Sequence, residues 1–212
     1  MFHAGLDADQ FDLAKLGQIK AAHPEIAFCA AYLVAPSHPN AGWMGQHAAV
    51  RALGLNTVPV FVGQEVAGPG SHIVTAAQGV LDGQRAAAMM AGEGYPAGSF
   101  VYLDLEYPDP ESDYLTAWLA TVEAAGWGGG VYGSHEIAAE IAQAHPEARI
   151  WAFEVPTVER TNWARAPFGA FDPAGCGYAG ATLWQHADNV LLTDFNYLVD
   201  LDVSTLADPS AP

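Results

Sequence analysis

Hydrophobic and polar positions alternate most cleanly over Phe100-Val101-Tyr102-Leu103-Asp104-Leu105-Glu106. Val101, Leu103 and Leu105 share one face of the strand this pattern predicts, and Tyr102, Asp104 and Glu106 share the other. Two carboxyls two residues apart then stand on one face, their Cα atoms about 6.6 Å apart. The same alternation runs through 2–7, where Phe2, Ala4 and Leu6 oppose His3, Gly5 and Asp7. Between such stretches the period lengthens. Leu13, Leu16 and Ile19 recur at helical spacing within 11–22, and His23-Pro24 stops that helix. By the same reading, further strands fall at 27–34, 57–62, 130–134, 149–155 and 181–186, with one or two more inside 190–203. Further helices fall at 43–53, 73–92, 112–125 and 135–144, with Ser112 as an N-cap. From 156 to 180 the periodicity gives way to Gly, Pro and aromatic residues.

Strand–helix repeats of this length imply a parallel sheet. About eight strands, with helices mainly after the first five, predict an α/β fold: an irregular, TIM-like (β/α) barrel. An open doubly wound sheet is the alternative. No linker or repeat divides the chain, so 1–206 reads as one domain and 207–212 as a frayed tail. In a barrel the C-terminal strand ends converge on one face, where active sites form. Asp7, Glu65, Asp104, Glu106 and Ser134 all fall at such ends.

Composition narrows the chemistry. Hydrophobic residues make up 51% of the chain and charged residues 15%, which argues for a folded chain. Its formal charge is −17, which argues against nucleic acid and anionic membranes as partners. No apolar run approaches the length of about 20 residues that a membrane span needs. The N-terminus shows no basic region followed by an apolar one, so no secretory signal is expected and synthesis is cytoplasmic. Cys29 and Cys176 read as free thiols, with too few partners for a zinc site. Eight histidines include no HExxH pair, and no metal or cofactor is expected. Gly128, Gly130 and Gly133 match GxGxxG spacing, but they precede a strand instead of linking one to a helix. Gly133-Ser134-His135 lacks the nucleophile elbow of a serine hydrolase.

The paired acids remain. Glycoside hydrolysis needs one carboxyl as general acid and a second as base, nucleophile or charge stabiliser. A low-dielectric barrel mouth with like charges nearby separates two carboxyls into those roles. Glu106 has the longer reach and is read as the proton donor, with Asp104 tuning and orienting it. Magnesium ligation is the competing chemistry for an acid ring.

Several short motifs in order carry a resemblance. They are Gly5-Leu6-Asp7, Pro59 to Gln64 (Pro-Val-Phe-Val-Gly-Gln), Asp104-Leu105-Glu106, Gly130 to Ser134, Trp151-Ala152-Phe153, Trp184-Gln185-His186 and Val199-Asp200-Leu201-Asp202. Together these resemble the family 25 glycoside hydrolases, the Chalaropsis-type lysozymes. They resemble more closely the related glycoside-hydrolase-like TIM-barrel domains of unassigned activity. The resemblance implies a polysaccharide partner and cleavage of the β-1,4 bond between N-acetylmuramic acid and N-acetylglucosamine in peptidoglycan, or of a related cell-envelope glycan. It implies Glu106 as general acid, Asp104 as its electrostatic or neighbouring-group assistant, and Asp7 and Asp200 as the floor. Tyr32, Gln64, Tyr132, Trp151, Trp184 and Gln185 are assigned to the sugar. Delivery to the wall would follow lysis or non-classical export. His186 stands where that family has tyrosine, and Asp202 where it has asparagine. Asp194-Phe195-Asn196 competes with Asp200 as the late acidic motif. A glycan-binding barrel without turnover, and a metal-dependent phosphodiesterase or lyase, are the alternative readings.

Overall fold

The structure, a computed structural model, describes residues 1–105, 112–155 and 168–212, together with the backbone of 162–163. Strands and helices alternate through the first two thirds. The order is β1 (His3–Asp7), α1 (Leu13–Ala22), β2 (Ile26–Tyr32), α2 (His47–Ala52), β3 (Asn56–Val62), α3 (Ala76–Glu93), β4 (Phe100–Leu105), α4 (Asp113–Ala124), β5 (Gly128–Ser134), α5 (His135–Ala144) and β6 (Arg149–Phe153). A two-residue strand β7 (Asn162–Trp163), a 3-10 turn (Pro173–Cys176), β8 (Leu183–Leu192) and β9 (Tyr197–Ser204) follow.

Strands β1 to β6 lie side by side in chain order, all parallel. β8 pairs in parallel with β6, and β9 runs antiparallel between β8 and β1. The result is a closed eight-stranded α/β barrel, with β7 paired to the far half of β8 outside the ring. The open-sheet alternative is thereby excluded. Among the described residues no helix is long and apolar enough to cross a membrane.

Alternation sorts the strand residues as expected. Outward-facing Val101, Leu103 and Leu105 of β4 join Leu115, Trp118 and Leu119 of α4 in one buried cluster. A second cluster joins Leu6, Ile26 and Cys29 to Leu16 and Ile19 of α1. Inside the barrel, large rings face glycines. A Cβ on Gly5 would lie 2.1 Å from the Phe28 ring, and one on Gly130 would lie 2.4 Å from the Tyr102 ring. Each ring therefore fits only because its neighbour has no side chain.

Helices α2 and α3 start three or more residues later than the periodicity predicts. Gly45, at φ 76°, keeps the chain in turns until α2 begins at His47. Thr75 caps α3 by accepting from Gln78 N at 3.2 Å, so 73–75 lie outside it. The C-terminal segment, expected to fray, is instead tied across the bottom of the barrel. Tyr102 Oη donates to Pro209 O at 2.9 Å, Phe100 N to Ser210 O at 2.8 Å, and Arg149 to Ala211 O at 2.7 Å.

Candidate active site

The strand register assembles the mouth of the barrel. Asp104 on β4 sits beside Val62 on β3 and Tyr132 on β5, and Tyr132 sits beside Trp151 on β6. Because β9 runs backwards, its early residues reach the mouth. Asp200 therefore pairs with Asp7, and Asp202 lies one step deeper, opposite Gly5. The ring that results encloses a well of about 40 Å³ lined by Asp7, Tyr32, Val60, Asp104, Tyr132, Trp151, Gln185 and Asp200. Seven of these eight come from positions expected to carry the site or its substrate.

Hydrogen bonds fix the acids. Tyr32 Oη donates to Asp7 Oδ2 at 2.9 Å. Tyr132 Oη donates to Gln185 Oε1, and Gln185 Nε2 donates to Asp200 Oδ2 at 2.8 Å. The other oxygen of Asp200 accepts from Asn189 N at 2.6 Å. That amide is aimed by irregular pairing in β8 between Ala187 and Val190, where Asn189 takes φ 54°. Beneath, Trp151 Nε1 donates to Asp202 Oδ1 at 3.1 Å.

Burial pushes Asp200 above the ordinary carboxylate range, the Asp7 charge adds to it, and the Asn189 amide opposes it. Asp202 is pushed up by burial, then by Asp7 and Asp200, with the Trp151 donor opposing. Burial and like charge thus favour the protonated form of both acids.

The well opens on both sides. A cavity of about 610 Å³ lies over Tyr132, Phe153, Glu154 and Gln185, and one of about 360 Å³ over Asp7, Phe11, Lys15 and Tyr197. Asp200 lines both cavities as well as the well. An extended polymer could cross the mouth over this shared acid.

Other expectations need correction. Gln64 faces away from the mouth. Its Nε2 donates to Asp82 at 3.0 Å, its Oε1 accepts from Ile73 N at 3.0 Å, and it is 1% exposed. Trp184 neighbours Gln185 on a strand, so it points to the opposite face, against Gly175, and its Nε1 donates to Glu154 O. His186 shares that outer face, its ring near Trp184 and Phe171. Trp151 belongs to the floor, since it is 1% exposed and its indole N–H is spent on Asp202. Asp194 is exposed in the turn between β8 and β9, so Asp200 is the late acid that faces the well. Glu106, the expected proton donor, lies outside the described residues.

The sequence pattern assigns no site role to His135, Phe153, Glu154 and Asp188, which line the larger cavity, or to Asn189, whose amide meets Asp200. The Asp188-Asn189 pair is a turn signal inside a strand-like run and could have marked the bulge. Among the described residues no group of three His, Cys, Asp or Glu is arranged to hold a metal ion. Cys29 and Cys176 are buried and free.

Comparison with known proteins agrees with this geometry. The model of the Rv2525c-like, glycoside hydrolase-like domain family matches residues 18–192. No curated protein sequence matches the chain. Among solved structures, a B. stearothermophilus protein superposes with a TM-score of 0.68 at 17% identity, covering 95% of both chains. The spore cortex lytic enzyme SleM of Clostridium perfringens superposes at 0.65 and 14% identity, covering 96% of this chain and 67% of its own. GHIP, a glycosyl hydrolase 25 of Streptococcus pneumoniae, superposes at 0.63 and 11% identity, covering 96% and 87%. Identities this low speak for the fold.

Proposed function

The chain belongs to the Rv2525c-like, glycoside hydrolase-like domain family, and from that membership and the mouth geometry we propose that it hydrolyses a glycosidic bond in peptidoglycan or a related cell-envelope glycan. The observation that carries this reading is the convergence of Asp7, Asp104 and Asp200 with Tyr32, Tyr132 and Gln185 on one buried well. A core does not gather three carboxyls around a void without cost, because each must be desolvated. The likeness to structures named as a cortex lytic enzyme and a glycosyl hydrolase 25 supports the same reading.

Glu106, the next acid along the chain from Asp104, acts as general acid. It passes its proton to the bridging oxygen as the bond from that oxygen to the anomeric carbon breaks. Asp104 stabilises the positive charge that develops at that carbon, directly or through the substrate's acetamido group, and water completes the hydrolysis. Asp7 and Asp200 shape the floor, and Tyr32 and Tyr132 position the sugar.

Release of reducing ends from purified peptidoglycan tests the proposal. The wild type releases them, and Glu106→Gln slows release by about 10²–10⁴-fold, the usual worth of a positioned acid. Equal release from both proteins removes Glu106 from the mechanism. Saturable binding to the polymer without any release would leave a glycan-binding barrel.

A further inference from the structure

The cavity of about 610 Å³ joins two surfaces of different chemistry. One is aromatic: the Tyr132 and Phe153 rings lie 5.5 Å apart at 33°, a wall suited to the apolar face of a sugar. The other is acidic, formed by Glu136, Glu154 and Asp188. No described residue donates to the Glu154 carboxyl, although the Glu154 backbone carbonyl is used by Trp184. No Lys or Arg stands among the described lining residues of this cavity. Lys15 lines the neighbouring cavity, but its ammonium is held by Asn196 O at 2.7 Å. The chain as a whole stands at −17. A field of this sign repels carboxylates and phosphates and concentrates cations.

We propose that this cavity binds a hexosamine glycan whose sugars carry free amino groups, the ammonium meeting the acidic rim while the ring packs on Tyr132 and Phe153. The proposal rests on the glycan reading above and names the substrate class. An N-acetyl group is neutral and gains nothing from the rim. An ammonium gains charge-assisted hydrogen bonds in a partly water-excluded site. An anionic substituent at this position finds only like charge.

Calorimetric titration with two tetrasaccharides tests this: β-1,4-linked glucosamine, and the same oligomer fully N-acetylated. The free-amine oligomer should bind about tenfold tighter at low salt. The advantage should shrink in 1 M salt, where screening acts over about 3 Å. Glu154→Gln should erase several-fold of it. Glu147→Gln removes the same charge from an exposed position just before β6, at the opposite end of the barrel, and should leave the preference intact. Equal or tighter binding of the acetylated oligomer, no binding of either, or an equal effect of both variants would overturn the proposal. Reducing-end release from purified peptidoglycan is measured alongside, with the same protein preparation. Preference without release sinks the hydrolase reading alone, and release without preference sinks this one alone.

Discussion

Asp82 on α3 and the acids Asp200 and Asp202 on β9 are treated in opposite ways. Asp82, on α3 and wholly buried, accepts four hydrogen bonds. Gln64 Nε2 and Tyr114 Oη reach one oxygen at 3.0 and 3.1 Å, and Gln78 Nε2 and Arg85 reach the other at 3.0 and 3.3 Å. Among the described residues Asp200 accepts two hydrogen bonds, neither from a cation, and Asp202 accepts one. Around Asp82 every lone-pair direction is met and a guanidinium balances the charge, so that carboxylate ties β3 to α3 and α4. At the mouth Asp200 and Asp202 lie near the Asp7 charge, and burial and that like charge push both above the ordinary carboxylate range. Donor supply, more than burial, separates Asp82 from Asp200 and Asp202.

The same substitution should therefore act in opposite directions at the two places. Asp82→Asn turns an acceptor into a donor facing donors, and should cost about 2–4 kcal/mol in chemical denaturation. Asp202→Asn removes a desolvated acid from beside two others, and should leave stability unchanged or raise it by about 1 kcal/mol. A loss at Asp202 as large as that at Asp82 would erase the distinction.

Next comes the pH dependence of stability. Asp200 and Asp202 have folded pKa values above the ordinary carboxylate value, so the folded state binds more protons than the unfolded chain between the two. Stability gained from them is present at low pH and is lost as pH rises through the folded values, with a slope of up to about 1.4 kcal/mol per pH unit for each proton. Denaturation midpoints between pH 5 and pH 8 should fall in the wild type and fall less in Asp202→Asn. The smallest effect is expected at Asn189. Glycine there keeps the positive φ and the amide to Asp200, so Asn189→Gly should stay within about 0.5 kcal/mol of the wild type.

How much of this was legible in the sequence depends on the range of the interaction. The alternation in β4 placed Tyr102 and Asp104 inward and Leu103 outward, because period-two patterning is local. The same rule lets only one of the neighbours Trp184 and Gln185 face the well. It was outweighed by the expectation that tryptophan stacks on sugar. Gln64 misled because its motif marks the family, whereas its side chain serves Asp82, 18 positions away in sequence. The register of Asp7 against Asp200 depends on β9 reversing, which no local pattern encodes. The resemblance alone brought those two residues together. The short polar tail read as loose because its partners, Tyr102 and Arg149, lie 107 and 62 positions earlier in the chain.

The account turns on the claim that chemistry happens at the acids gathered around the well and not at the acid that Gln64, Tyr114, Gln78 and Arg85 tie down beside it. The direct measurement is reducing-end release from peptidoglycan, or from its partly de-N-acetylated form, by wild type, Asp104→Asn and Asp82→Asn, each well below its melting temperature. Asp104→Asn should fold with wild-type stability and lose at least about 10²-fold in rate, while Asp82→Asn should be less stable but active. Wild-type release by Asp104→Asn would contradict the account.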